Sequence, residues 1–79
     1  MNAIEERIAN VLSTQLRLDR SVLGSDVTFE SVDLDSLVLV EFALLLGDEF
    51  GIEIDDGDLT KEMTLRDTAE LVTAKGAVL

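Results

Sequence analysis

Asp35-Ser36-Leu37-Val38-Leu39-Val40-Glu41-Phe42-Ala43-Leu44-Leu45-Leu46-Gly47-Asp48-Glu49-Phe50-Gly51 is the stretch on which the fold turns. Its aspartate can accept from the free N–H groups of a first helical turn, and its closing glycine can adopt the left-handed conformation that ends a helix. The valines would suit a strand. The run is too long for one, however, and its leucine-rich centre lies between two end signals, so it reads as a helix from Ser36 to Phe50. Gly47 inside it costs about 1 kcal/mol relative to alanine, and no local pattern accounts for its presence.

Working outward, Asn2 followed by Glu5 forms a capping pair, and Ile4, Ile8, Val11, Leu12 and Leu16 recur at helical spacing. These predict a helix from Ala3 to Arg17. Leu18 to Leu34 has no steady period and reads as a long loop pinned by Val22, Leu23, Val27, Phe29 and Val32. Beyond the central helix, Ile52-Glu53-Ile54 reads as a short extended link, and Asp55 or Asp56 opens a brief helical turn to about Glu62. Thr64 and Asp67 then mark the start of a last helix, with Leu65, Thr68, Ala69, Leu71 and Val72 on one side and its end near Gly76. Proline and internal repeats are absent. The expected fold is all-α, a four-helix bundle of three main helices and one short third helix with a long first loop, formed by residues 1–79 as one domain.

Composition narrows the chemistry. The 79 residues include no cysteine, histidine, tryptophan or tyrosine, which removes the disulfide, the thiolate metal ligand and the commonest general base. Catalysis by this chain alone is not expected. A basic start followed by an apolar run, as in a secretory leader, is missing from the N-terminus, and no apolar stretch is long enough to span a membrane, so a cytoplasmic location is the default expectation. The net charge of −11 is uneven: Ser21 to Thr60 holds 11 acidic residues and no lysine or arginine, whereas the ends carry 6 of each sign. Such a field disfavours nucleic acid and anionic membranes and favours basic protein surfaces.

Val32-Asp33-Leu34-Asp35-Ser36-Leu37, continued by Val40-Glu41 and by Asp48-Glu49-Phe50-Gly51-Ile52-Glu53-Ile54, resembles the phosphopantetheine attachment region of acyl carrier proteins. The resemblance extends over essentially the whole chain. It implies that the Ser36 hydroxyl receives a covalent 4'-phosphopantetheine arm, that Asp35 and Leu37 flank the attachment point, and that acyl groups ride on the arm as thioesters. Partners implied are a phosphopantetheinyl transferase, then ketosynthase, acyltransferase or other synthase enzymes with basic docking surfaces, meeting a monomeric carrier. Aspartate before Ser36 favours an acyl over a peptidyl carrier, which often has histidine there. A free-standing chain suggests a dissociated synthase system, and the apolar, glycine-containing second helix leans towards polyketide or other specialised biosynthesis rather than housekeeping fatty acid synthesis. One departure stands out: family members usually have glycine where this chain has Asp33, so the loop approaching Ser36 is expected to bend differently.

The second helix is also too apolar for a simple surface helix. With Leu39, Phe42, Leu46 and Phe50 inward, Val38 and Leu45 are expected outside beside Glu41 and Asp48, forming a docking face; alternatively the two apolar residues tuck beneath the long loop. Two other functions fit parts of the sequence. A helical adaptor would use this face without a cofactor, and an acidic calcium module would use Asp55-Asp56-Gly57-Asp58, which lacks the twelve-residue ligand pattern of a calcium loop. No metal site is expected.

Overall fold

The computed structural model describes residues 1–77. Three α-helices, α1 (Ala3–Thr14), α2 (Ser36–Phe50) and α3 (Leu65–Ala74), are joined by 3₁₀ turns, two between α1 and α2 at Arg20–Val22 and Glu30–Val32 and one between α2 and α3 at Asp56–Asp58. The class and helix order are those expected: an all-α, four-helix-bundle topology whose third member is reduced to one turn. Among the described residues no helix is long and apolar enough to cross a membrane.

Helix α1 starts at its cap, where Asn2 Oδ1 accepts from the Glu5 N–H at 2.8 Å. The Glu5 carboxylate does not complete a capping box; it is buried and accepts from the Ser25 hydroxyl. Ile8, Ala9, Val11 and Leu12 form the buried stripe. The helix stops at Thr14, short of Arg17. The hydroxyls of Ser13 and Thr14 both donate to the Asn10 carbonyl (3.3 and 2.6 Å), a bond that competes with the backbone ladder. Arg17 then turns left-handed at φ 61, and the Leu18 N–H closes onto the Leu12 carbonyl at 3.0 Å. Leu16 still packs against the core, but from a turn, an outcome that apolar spacing cannot tell from another helical turn.

The long loop is held by its backbone as much as by apolar side chains. Phe29 is buried and meets Phe42 edge-on, ring centroids 5.5 Å apart and planes at 89°, a favoured aromatic geometry. Leu34 is buried as well, and Leu23 and Val32 pack on the core, whereas Val22 is exposed and pins nothing. Phe29 N–H donates to Met63 O (3.0 Å), Glu30 N–H to Lys61 O (2.9 Å) and Arg66 N–H to Ser25 O (3.1 Å). Thr28 and Thr64 form an isolated antiparallel bridge. The loop is thereby sewn to the segment that opens α3.

That stitching explains the short third element. The Asp58 carboxylate accepts from the Asp55 N–H across one turn, but Leu59 then adopts an extended backbone and is buried, and the carbonyls of Lys61 and Met63 are taken by the loop. A helix continuing to Glu62 would withdraw all three. Helix α3 follows expectation, with the Thr64 hydroxyl and Asp67 carboxylate bonded reciprocally to each other's N–H at 3.1 Å. Leu65, Thr68, Ala69 and Val72 form its buried side.

At the end of α2, Gly51 is left-handed (φ 65) and its N–H, like that of Ile52, turns back to the Gly47 carbonyl. A Cβ at position 47 would lie 2.9 Å from the Ile52 carbonyl oxygen. Gly47 is the residue that lets the chain fold back so tightly, which answers the question its helical position raised.

Candidate functional site

Asp35 caps α2 as predicted: its Oδ1 accepts from the Val38 N–H at 2.9 Å. Ser36 is the first helical residue, exposed to solvent, and among the described residues its hydroxyl and the N–H groups of Ser36 and Leu37 have no protein partner. Unpaired N–H groups at the positive end of a helix favour an anion placed on the hydroxyl beside them. Leu37 projects into solvent, 80% exposed.

The loop before Ser36 reaches it through Asp33, whose backbone is left-handed (φ 63, ψ 30). The position is thus one where glycine is at ease, and aspartate is among the few other residues that tolerate it. Asp33 holds a conformation that glycine adopts freely, so aspartate in place of glycine does not by itself force another bend.

Seen from the first turn, α2 is rotated relative to the expectation. Leu39, Phe42, Ala43 and Leu46 are buried, and Phe50 is partly covered by the Arg7 guanidinium 4.5 Å from its ring centroid. Val38 and Leu45, expected to face outward, both pack against the core; Leu45 lies beside Val11 of α1 and the Gln15 that caps its end, not beneath the long loop. The outward apolar residues are Leu37, Leu44 (67% exposed) and Val40, with Glu41 and Asp48 exposed among them. The reason is angular. At about 100° per residue, Leu37 and Leu44 stand about 150–170° from the centre of the buried set, while Val38 and Leu45 stand only about 90–110° away, on a flank that α1 covers at Leu45. Averaging the buried positions on a helical wheel would have found this strip.

Residues 6–72 match the family described as the phosphopantetheine attachment site. The acyl carrier protein of Nitratidesulfovibrio vulgaris strain DP4 is 31% identical over 74 residues, which are 92% of this chain and 97% of that protein. The acyl carrier protein of the Miyazaki F strain is 32% identical over the same shares. This chain belongs to the acyl carrier protein superfamily. Proteins of this superfamily are typically carriers without catalytic activity of their own. The first turn of α2 suits the superfamily's prosthetic group: a free hydroxyl, free N–H groups and no side chain capping over them.

The charges around this site are sorted by the fold. Arg7 pairs with Glu49 at 3.0 Å, Lys75 with Asp58 at 2.9 Å, and Arg66 with Asp26. The Lys75 ammonium, together with the Asp55 N–H, holds the Asp58 carboxyl below its ordinary range, and Asp58 in turn raises Lys75. Glu30, Asp33, Asp35, Glu41 and Asp48 make no ion pair among the described residues, so free negative charge collects around Ser36 and along the outer side of α2. Asp58 is committed to Lys75, and among the described residues no cluster of three or more carboxylates could hold a metal ion.

Proposed function

We propose that this protein carries acyl groups as thioesters on a phosphopantetheine arm joined to the Ser36 hydroxyl. The observation that carries the reading is the exposed, unbonded Ser36 hydroxyl on the capped first turn of α2, beside a solvent-facing apolar strip. Once attached, the arm supplies the thiol that the sequence lacks. Asp35 caps the first turn, on which the hydroxyl and the free N–H groups lie, and Leu37 presents an apolar surface next to the attachment point.

Synthase partners and the transferase dock, in this reading, on Leu37, Val40 and Leu44, with Glu41 and Asp48 guiding a basic surface into place. Val38 and Leu45 contribute indirectly, by holding α2 against the core. The apolar character of this strip favours a specialised biosynthetic partner, such as a polyketide ketosynthase or acyltransferase, over fatty acid synthesis; the intact mass of protein isolated from its producing organism reads the acyl group directly.

The test of the carrier role is incubation with coenzyme A, magnesium and a promiscuous phosphopantetheinyl transferase. One arm is expected on Ser36, and Ser36→Ala is expected to stay unmodified while folding normally. Modification at another serine, or none on the wild type, would overturn the attachment reading and leave the exposed strip as an adaptor surface.

A further inference from the structure

A shallow, open depression of about 230 Å³ lies against the start of α2, lined by Glu30, Asp33, Leu34, Asp35 and Lys61. Lys61 is its one cation. The segment bearing Lys61 is fixed in register, because its carbonyl accepts from the Glu30 N–H at 2.9 Å and Met63 O accepts from Phe29 N–H at 3.0 Å. Three carboxylates line the same depression, yet among the described residues Lys61 makes no ion pair within 4.0 Å. Arg7, Arg20, Arg66 and Lys75 are paired, whereas Arg17, like Lys61, makes no ion pair among the described residues. What sets Lys61 apart is its place: its depression is also lined by Asp35, the residue that immediately precedes the attachment serine.

We propose that Lys61 is a positioning residue for the phosphodiester on Ser36, holding the root of the arm over Leu34 and the Glu30–Val32 turn. The inference rests on the attachment reading above. A phosphodiester at Ser36 adds a negative charge beside Glu30, Asp33 and Asp35, and the Lys61 ammonium is the cation in the depression that can offset it. A flexible lysine stem suits the task, since it can follow an anion on a mobile tether without demanding a fixed geometry. The consequence is directional: the arm leaves Ser36 biased towards the loop side of α2, away from the Leu44 end of the exposed strip, until a partner displaces it.

The experiment uses the full chain, wild type, Lys61→Gln and Lys61→Arg, each loaded to completion and checked by intact mass. In the wild type, loading is expected to shift the Lys61 Cε and Hε resonances and the Leu34 amide. The ³¹P resonance of the diester is expected to differ between wild type and K61Q, with K61R close to wild type. The change in Tm on loading is expected to be more negative in K61Q than in wild type by about 2–4 °C at low salt, the size of an exposed ion pair in a domain of this length, and the gap should close as salt screens it. Identical ³¹P shifts and identical loading-induced Tm changes in wild type and K61Q would overturn the proposal. Wild type and K61Q that both remain unloaded at Ser36 by mass would instead bring down the attachment reading, and this inference with it.

Discussion

Arg17 and Asp33 are the two described residues other than glycine with left-handed backbones, and their energetics differ. The conformation costs an ordinary L-residue about 1–2 kcal/mol, while glycine adds about 0.4–1 kcal/mol of unfolded-state entropy to be lost. Arg17→Gly is therefore expected to stabilise by about 0.5 kcal/mol, read as a higher urea midpoint at unchanged slope. Asp33→Gly is expected to lie near zero, because aspartate already tolerates the region. Asp33→Val, by contrast, should cost about 1–2 kcal/mol, and a neutral result would show that the turn before Ser36 relaxes. Glycine at such a position is legible in a sequence; an arginine or aspartate there is not, because the conformation is imposed by contacts on either side.

At the scale of elements, α2 carries two expectations that its rotation decides. Leu44→Ser should change stability by no more than about 0.5 kcal/mol, as an exposed substitution, yet raise the dissociation rate of a docked partner by removing apolar contact. Leu45→Ser should instead destabilise by about 1–3 kcal/mol, since it removes a side chain packed on the core beside α1. Equal effects of the two on unfolding would mean that α2 is turned otherwise. Gly47→Ala makes a sharper test of its end. Helix propensity alone argues for a gain of about 1 kcal/mol, but the added Cβ meets the Ile52 carbonyl at 2.9 Å, a backbone contact that cannot rotate away. A net loss of about 1 kcal/mol is expected, because overpacking of this kind typically costs about 1–3 kcal/mol.

For the whole molecule, charge sets the response to solution conditions. A net charge of −11 with unpaired carboxylates around α2 repels itself over about 10 Å at 0.1 M salt, so added salt is expected to raise Tm. The Asp58–Lys75 pair ties the Asp56–Asp58 turn to the end of α3 and has a definite pH signature. Asp58 is depressed when folded, so its contribution is present above the ordinary aspartate value of about 3.9 and lost as pH falls through the lower folded value. Lys75 is raised, so its contribution is present below about 10.4 and lost as pH climbs through the higher folded value. The stability difference between wild type and Lys75→Gln should thus be flat across neutral pH and shrink at both extremes. Asp19, lowered by the Ser21 N–H and hydroxyl, loses its contribution on the acid side only.

Much of this molecule was written locally. Caps at Asn2, Asp35 and Thr64, the stops at Gly51 and Gly76, and the apolar periods between them act over three or four residues, so they can be read along the chain, and with them the place of Ser36 at the head of α2. The third helix, the rotation of α2 and the charge map could not be read that way. The carbonyls of Lys61 and Met63 are claimed by a loop some thirty residues earlier, which leaves one turn where local signals allowed two. Leu45 is covered and Leu44 bare because α1 lies on one flank of α2 and solvent on the other. Arginines and a lysine near the chain ends neutralise Glu49, Asp26 and Asp58, so only the folded chain determines which carboxylates stay free beside Ser36. Each of these outcomes depends on groups far apart in sequence competing for the same contact, and that competition is resolved only when the helices pack.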